Sequence, residues 1–206
     1  MLIARDGLTL DRLPHGARIG TGSPRRTAQL NAYARAHGVL IETVPIRGNI
    51  DTRIGYVHSG ELDAVVLAAA GINRLGRTGE VTDFLSVDSV LPAPGQGALA
   101  VECVASDPEL AAALAGLDDP RTRIAVTAER SLLAALEAGC SAPVGALADL
   151  LGDGQDTRFV NELRLRGVVG TTDGSTLVQL SITGPVPTSH GDAVALGREL
   201  ASEMLA

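Results

Sequence analysis

The residues with the clearest chemical capacity in this sequence are one cysteine and two groups of arginines. Cys140 lies in the stretch Leu136–Gly145, after a long helical pattern and beside glycine and other small residues. This setting leaves the sulfur room for a bulky group. Free cysteines are most often small buried hydrophobic residues, and the stretch alone favours that interpretation. The arginines favour a functional thiol, because they collect at the predicted starts of two helices.

The first arginine group follows a short predicted strand, Ala17–Gly22, in the run Ser23-Pro24-Arg25-Arg26. A serine N-cap and a proline at the first helical position predict that a helix begins here. Apolar positions continue the helix to about Gly38. Two arginines therefore occupy its opening turn.

The second arginine group follows the β-branched run Val39–Ile46, which predicts another strand. Arg47 comes directly after this run, and Asn49 can cap a helix that carries Arg53 and closes near Gly60. Arginines thus lie at a second junction of strand and helix.

A third predicted strand, Asp63–Ala70, is nearly all apolar, and a short helix carrying Arg74 follows it. The alternation of strands and helices predicts a parallel sheet with right-handed crossovers. Such sheets bind ligands where strands end and helices begin, and helix N-termini attract anions. Cations there are unfavourable without an anionic partner. Arg25, Arg26 and Arg47 therefore indicate a carboxylate or phosphate ligand, the plainer alternative being solvated helix starts.

The remaining segments of the first two thirds of the chain predict a loop, a hinge, a strand and a helix. Residues 1–17 predict a loop with one short helical turn, and Leu91–Gly97 is rich in proline and glycine, which predicts a hinge. Ala98–Cys103 predicts a strand, with Cys103 as a core thiol at its end. An alanine-rich helix is expected from Pro108 to Leu117.

The last third of the chain predicts a separate small domain. Asp119 and Pro120 mark the start of a long helix that ends at Gly139 and so delivers Cys140. Beyond it, three strand-like runs joined by Gly-Asp and Asp-Gly turns precede an amphipathic helix. These elements are Val144–Leu151, Arg158–Val169, Ser175–Thr183 and Gly191–Leu205. The pattern indicates an antiparallel α+β domain.

Composition excludes several classes of function. With 206 residues, 45% of them hydrophobic and 20% charged, the chain can form one large or two small globular domains. A net charge of -7 and an aromatic content of 2% argue against nucleic acids and acidic membrane surfaces as partners. All 17 basic residues are arginine, which removes lysine Schiff-base chemistry.

Motifs of other enzyme classes are absent from the sequence. It has no GxGxxG after a strand, no P-loop, no HExxH and no GxSxG. The four histidines are scattered and no His–Cys pair is evident, so neither a metal site nor a cysteine-protease site is expected. The thiol would then act as an attachment point. With two cysteines, no signal peptide and no apolar run of bilayer length, the expected compartment is the cytoplasm.

Six stretches, taken in order, resemble the porphobilinogen deaminase (hydroxymethylbilane synthase) family. They are Gly20–Arg26, Arg47–Arg53, Asp63–Leu75, Leu91–Cys103, Ala128–Arg130 and Glu137–Gly145. The resemblance covers nearly the whole chain and is most specific around Cys140. It implies a transferase that joins porphobilinogen units head to tail with loss of ammonia. Hydrolysis then releases hydroxymethylbilane, an intermediate of porphyrin and heme biosynthesis.

The resemblance also implies a division into domains. Residues 1–97 would form the second domain of the family, an α/β unit resembling half of a type II periplasmic binding protein. Residues 98–118 would return to the first domain, most of which is not in this sequence. Residues 119–206 would form the third domain, which carries the cysteine. With its first domain present, the enzyme is expected to be a monomer.

The family motifs imply the site residues. Cys140 would hold a dipyrromethane cofactor through a thioether, a carbon–sulfur link that survives repeated rounds of reaction. The acetate and propionate groups of each pyrrole would be bound by arginines as bidentate carboxylate clamps. By motif position, the cofactor-binding residues are Ser23, Arg25, Arg26, Arg47 and Arg53, and the substrate-binding residues are Arg74 and Gln96.

One departure from the family concerns catalysis. The family has a motif of the form HSxKDxP near its N-terminus, whose aspartate assists proton transfer, and no stretch here matches it. Neither Asp51 nor Asp63 takes that role, and Asp63 is expected to be structural. We therefore expect little deaminase activity from the 206-residue chain alone, which would need the first domain from another source.

Two alternatives stay open at this point. The chain could act only as a polycarboxylate-binding module, or as an arginine-rich regulator that binds anions. In either case, without the first domain of the family, Leu99, Val101 and Leu114 are expected to expose apolar surface.

Overall fold

The computed structural model describes residues 1–139, 142–152 and 160–206. The chain divides into two compact units. The first comprises Met1–Leu91 together with Val169–Leu177, and most of the chain from Pro92 to Ala206 forms the second. None of the helices in the described ranges is both long and apolar enough to cross a membrane.

A four-stranded sheet with the order β1-β4-β2-β3 forms the centre of the first unit. Its strands are β1 (Leu2–Ala4), β2 (Ala17–Gly20), β3 (Ile41–Val44) and β4 (Ala64–Val66). β2 pairs in parallel with β3 and β4, with Ile19 opposite Thr43 on one side and Ala64 on the other. The predicted parallel pairing of these three strands is therefore confirmed.

Strand β1 corrects the expectation of a loop over residues 1–17. It runs antiparallel to β4, and Leu2, Ile3 and Ala4 are all buried. Three residues are too few for a strand periodicity to show in the sequence, whereas pairing with β4 satisfies their backbone groups. The predicted helical turn is confirmed as a 3-10 turn at Leu10–Arg12.

Three helices alternate with the parallel strands: α1 (Pro24–Ala36), α2 (Ile50–His58) and α3 (Ala69–Arg74). The predicted caps are confirmed, because the Ser23 hydroxyl accepts from Arg26 N at 3.4 Å and Asn49 Oδ1 accepts from Thr52 N at 2.8 Å. The strand expected over Asp63–Ala70 ends at Val66 instead. Alanine has the highest helix propensity, and the alanines after Leu67 enter α3.

Apolar side chains cover both faces of this sheet. Leu30 of α1 lies in the cluster on one face, and Ile54 of α2 and Ile72 of α3 lie in the cluster on the other. Successive strand residues point to opposite faces, so Val66 joins the first cluster and Val65 the second. The apolar run Asp63–Ala70 predicts such burial of a strand on both faces of the sheet.

The strand expected at Ala98–Cys103 is wrong. The run has no strand pairing within the described residues, and Leu99 and Val101 are 89% and 63% exposed. Cys103 is exposed too, so it is not a core thiol. Apolar and β-branched composition cannot form a strand by itself, because its backbone groups need a neighbouring strand. The expected exposure of Leu99 and Val101 is confirmed, whereas Leu114, in helix α4 (Pro108–Ala115), is half-buried.

The second unit packs two long helices against a three-stranded sheet. Its elements are α5 (Pro120–Ala135), β5 (Val144–Gly152), β6 (Val160–Gly170), β7 (Leu177–Pro185) and α6 (His190–Leu205), with the sheet order β5-β6-β7. β6 and β7 are antiparallel, since Val186 N donates to Asn161 O and Thr171 N donates to Thr176 O. The predicted antiparallel α+β arrangement is confirmed.

The ends of the two long helices follow from their capping residues. Asp119 Oδ1 accepts from Thr122 N at 2.7 Å, and Ser189 forms a capping box with Asp192. α5 ends at Ala135, short of the predicted Gly139. Glu137 has a φ of 51°, a left-handed conformation that a right-handed helix cannot contain.

Candidate functional site

A cavity of about 980 Å³ lies in the first unit, where β2 and β3 end and α1 and α2 begin. Four of the predicted site residues, Ser23, Arg26, Arg47 and Arg53, line it together. The other lining residues are Gly22, Val44, Pro45, Ile46, Tyr56, Glu61 and Leu62. The fold thus gathers two arginine groups that are distant in the sequence around one space.

Backbone contacts hold the two strand ends together at this cavity. Thr21 N donates to Val44 O at 2.9 Å, and Ile46 N donates to Thr21 O at 3.4 Å. Gly22 approaches the same segment so closely that a Cβ atom there would lie 2.6 Å from Ile46 O. Only glycine allows this approach, which places the start of α1 against the segment leading to Arg47.

Three arginines line the cavity without acidic partners. Arg26 Nη1 donates to Val66 O at 3.0 Å, and Arg53 Nε donates to Gly48 O at 2.9 Å. Arg47 is exposed. Within the part of the chain that the structure describes, none of these guanidinium groups forms an ion pair. Their positive charge is therefore available to a ligand.

The electrostatics of Arg26 point to an anionic ligand. Burial lowers the pKa of its guanidinium, and the positive charge of Arg53 lowers that pKa further. Both effects disfavour the charged form of Arg26. A carboxylate bound between the two arginines would counteract both effects on the pKa of Arg26, because a nearby negative charge stabilises the charged guanidinium. Arginine binds carboxylates and phosphates through paired hydrogen bonds, so either anion suits this cavity.

The start of α1 adds to this preference for anions. The helix is 13 residues long, and its first-turn N–H groups and dipole contribute positive potential at the cavity. The half-buried Ser23 accepts from Arg26 N through its hydroxyl oxygen, which leaves its own O–H free to donate.

Sequence reasoning missed two polar lining residues, Tyr56 and Glu61. Tyr56 lies three positions after Arg53 in α2, so the helical spacing that brings such residues to one face could have revealed it. Glu61 follows the end of α2, and no sequence pattern distinguishes it from other exposed acids. It adds one carboxylate to an otherwise basic lining.

Arg25 lies elsewhere, although it is adjacent to Arg26 in the sequence. It is only 6% exposed, and its Nη1 donates to Leu91 O. Gln29 joins the same contact, since Leu91 N donates to Gln29 Oε1 at 2.6 Å and Gln29 Nε2 donates to Leu91 O at 3.2 Å. Burial lowers the pKa of Arg25 to about 10, with a contribution from Arg26. Arg25 therefore anchors Leu91 in this structure and does not line the cavity.

The remaining predicted residues are not part of this cavity. Arg74 is exposed in the last turn of α3, and Gln96 is an exposed residue of the second unit. Cys140 lies outside the described residues. Asp63 is structural, as expected, because its Oδ2 accepts from Arg18 N at 2.7 Å and its Oδ1 pairs with Arg5 Nη2 at 2.8 Å.

No cluster of histidine, cysteine and acidic side chains in the described ranges could hold a metal ion.

Taken together, the sheet and its cavity define an α/β protein with a basic cavity suited to an anionic ligand. Residues 1–112 match the family described as "Porphobilinogen deaminase, dipyromethane cofactor binding domain", and residues 123–206 match "Porphobilinogen deaminase, C-terminal domain". The chain therefore belongs to the porphobilinogen deaminase family, and the resemblance found in the sequence is confirmed.

Curated relatives agree over the whole chain. Porphobilinogen deaminase 1 of Streptomyces coelicolor is 78% identical over 206 residues, which are all of this chain and 64% of the relative. Porphobilinogen deaminase of Mycobacterium avium is 54% identical over 204 residues, 98% of this chain and 62% of the relative. The chain thus spans a little under two thirds of the length of these relatives. The alternative that the chain acts only as a polycarboxylate-binding module is not favoured.

The family description names a dipyrromethane cofactor, and the cavity fits such a group. A dipyrromethane has two linked pyrrole rings with carboxylate side chains. The three guanidinium groups, which form no ion pair with a described residue, match the carboxylates. The apolar side chains of Ile46 and Leu62 lie in the same lining and can contact the rings.

Proposed function

We propose that this chain forms the cofactor-binding and C-terminal parts of a porphobilinogen deaminase, the transferase that makes hydroxymethylbilane for heme biosynthesis. The observation that carries the proposal is the convergence of Arg26, Arg47 and Arg53, none of them in an ion pair with a described residue, on one cavity. Porphobilinogen carries an acetate and a propionate. Its linked products therefore gain negative charge with each added unit, and a site that holds them needs several cations.

Each lining residue has a distinct part in this proposal. Arg26 and Arg53 hold carboxylates at fixed positions, because their side chains are anchored to Val66 O and Gly48 O. Arg47, which is exposed, meets the anion as it enters. The Ser23 hydroxyl donates a further hydrogen bond. Fixing both acidic arms of a pyrrole sets the orientation of the ring. The condensation requires this orientation, because the aminomethyl carbon of one unit must meet a ring carbon of the other as ammonia leaves.

The covalent link is the part of the proposal that rests on the family motif. Cys140 Sγ would hold the dipyrromethane as a thioether, with Arg74 and Gln96 binding the incoming substrate. When bound, the cofactor supplies the ring carbon to which porphobilinogen is added. The residues of this chain bind the carboxylates and orient the rings.

The wider architecture is proposed on the same basis. Residues 1–97 correspond to the second domain and to half of a type II periplasmic binding protein fold, 98–118 to a return into the first domain, and 119–206 to the third. The order of β2, α1, β3, α2 and β4 supports the first of these assignments. The complete enzyme is proposed to be a cytoplasmic monomer, with the first domain supplied in the same or a separate chain.

Binding of porphobilinogen to the 206-residue chain tests the function. Isothermal titration calorimetry should show binding by the wild type and at least about a tenfold weaker affinity for Arg26→Gln, because a charge-assisted hydrogen bond contributes about 1.5–3 kcal/mol. Arg198→Gln, an exposed site in α6, is the matched control and should bind like the wild type. The proposal fails if the wild type does not bind or if Arg26→Gln binds equally well.

Mass spectrometry tests the attachment separately. After incubation of the chain with porphobilinogen and a separately supplied first domain of the family, the peptide containing Cys140 should carry the mass of a dipyrromethane, and Cys140→Ala should not. An unmodified wild-type peptide would contradict the assignment of Cys140, even if porphobilinogen binds.

A further inference from the structure

A buried carboxylate in the second unit has no part in the proposal above. Glu129, in α5, is 5% exposed and is the one buried acidic residue among those described. Its Oε2 accepts from Gly95 N at 2.6 Å, and its Oε1 accepts from Ala148 N at 2.8 Å. Both oxygens are therefore occupied by backbone donors from different segments of the chain.

These two hydrogen bonds join a loop to regular structure. Gly95 belongs to the loop 92–97, and Ala148 belongs to β5. A second contact supports the same loop, since Ala146 N donates to Pro92 O at 2.9 Å. The loop has neither helix nor strand of its own, so contacts to α5 and β5 set its position.

The residue after Gly95 is Gln96, the exposed glutamine expected to bind substrate. Its backbone N–H donates to Ala93 O at 3.0 Å, and its Oε1 accepts from Ala93 N at 3.4 Å. The direction of the Gln96 side chain therefore depends on the turn from Ala93 to Gln96, and Glu129 holds the third residue of that turn.

The charged form of Glu129 is the one that fits this arrangement. Burial raises the pKa of its carboxyl, while the N–H groups of Gly95 and Ala148 lower it and Asp149 raises it again. The carboxylate offers an acceptor oxygen to each N–H donor and has no proton of its own that needs a further acceptor. Burying a carboxylate costs free energy, and the two backbone hydrogen bonds offset part of that cost.

We infer that Glu129 is a positioning residue that fixes Gly95 and thereby presents Gln96 to the pyrrole substrate. The inference rests on the proposed function, in which Gln96 contacts porphobilinogen. Glu129 does not touch the substrate and acts through the loop. Without its carboxylate, Gly95 N–H would lose its partner and Gln96 would sample several directions.

Amide hydrogen exchange measured by NMR tests the hold on the loop. In the wild type, Gly95 N–H should exchange at least tenfold more slowly than the N–H of the exposed Gly97 in the same loop. In Glu129→Gln, one acceptor oxygen becomes an amino group, so exchange at Gly95 or Ala148 should speed up about tenfold. Glu203→Gln, exposed in α6, is the control. Equal exchange at Gly95 and Gly97 in the wild type would overturn the inference, whether or not the variant folds.

A double-mutant cycle on porphobilinogen affinity distinguishes positioning from a purely structural role. Glu129→Gln and Gln96→Ala should each weaken binding several-fold, and the double variant should bind no more weakly than Gln96→Ala. Additive losses, or no loss in Glu129→Gln, would overturn the inference. If the wild type does not bind porphobilinogen, the proposed function fails and the substrate role of Gln96 fails with it. The exchange data then still decide whether Glu129 holds the loop.

Discussion

The crossing of α5 and α6 at Gly197 offers a quantitative test of the packing in the second unit. A Cβ atom at position 197 would lie 2.5 Å from Ala128 O, 2.6 Å from Ser131 Cβ and 2.7 Å from Leu132 N. Two of these atoms belong to the backbone of α5, which cannot yield as a side-chain tip can. Gly197→Ala should therefore push the two helices apart.

Two opposing effects set the size of this change. Overpacking a core by one methyl group costs about 1–3 kcal/mol, and rigid backbone neighbours place this site at the upper end. Alanine in place of glycine in a helix interior raises the free energy of unfolding by about 0.5–1 kcal/mol, because it lowers the backbone entropy of the unfolded chain. We expect Gly197→Ala to lower the free energy of unfolding by about 2–2.5 kcal/mol.

Gly55→Ala is the matched control, because a Cβ atom at this position in α2 would meet nothing within 4 Å. Only the helix-propensity gain applies, so its unfolding free energy should rise by about 0.5–1 kcal/mol. Urea unfolding followed by far-ultraviolet circular dichroism measures both variants. Hydrogen exchange of the Leu132 amide in α5 and of the Ile54 amide in α2 shows in which unit each substitution changes the stability. Equal stabilisation by the two substitutions would refute the packing argument.

Three further predictions concern charge and exposed surface. Arg53→Gln should weaken porphobilinogen binding at least about tenfold in calorimetry, and unchanged affinity would remove Arg53 from the site. The pKa of Asp173 is lowered to about 2, first by the hydrogen bond from the Thr171 hydroxyl and then by that from Ser175 N–H. These hydrogen bonds to the Asp173 carboxylate therefore stabilise the fold above pH 3.8, and the stabilisation is lost as the pH falls through about 2. The Ser175 amide shift in NMR should follow that titration, and a midpoint near 4 would contradict it. The double substitution Leu99→Ser and Val101→Thr should reduce self-association in sedimentation velocity, whereas an unchanged association constant would show that this exposed run is not responsible.

Local sequence signals predicted most of the regular structure. Ser23, Asn49 and Asp119 each accept the hydrogen bond expected of an N-cap, because capping depends only on residues three positions apart. The strands Ala17–Gly20, Ile41–Val44 and Ala64–Val66 lie inside the predicted runs. Two predictions failed because the outcome depended on a distant segment. Leu2–Ala4 pairs with β4, whereas Ala98–Cys103 has no strand partner among the residues that the structure describes.

The candidate site divides in the same way. The sequence placed Arg26, Arg47 and Arg53 at junctions of strand and helix, and the structure brings them to one cavity. It could not distinguish Arg25 from Arg26, because adjacent helical positions point about 100° apart and only packing decides which one meets Leu91. Nor could it show Glu61 in the lining.

The amino-acid sequence by itself determined the family, the helix starts and the chemistry of arginine clamps, since each depends on residue types at short spacing. Only the tertiary structure decided which guanidinium groups line the same cavity and which donate hydrogen bonds to backbone carbonyls. The same holds for the burial of Glu129 against the Gly95 loop. These outcomes depend on which distant segments come together, and the free energy of that packing is not local to any stretch of the chain.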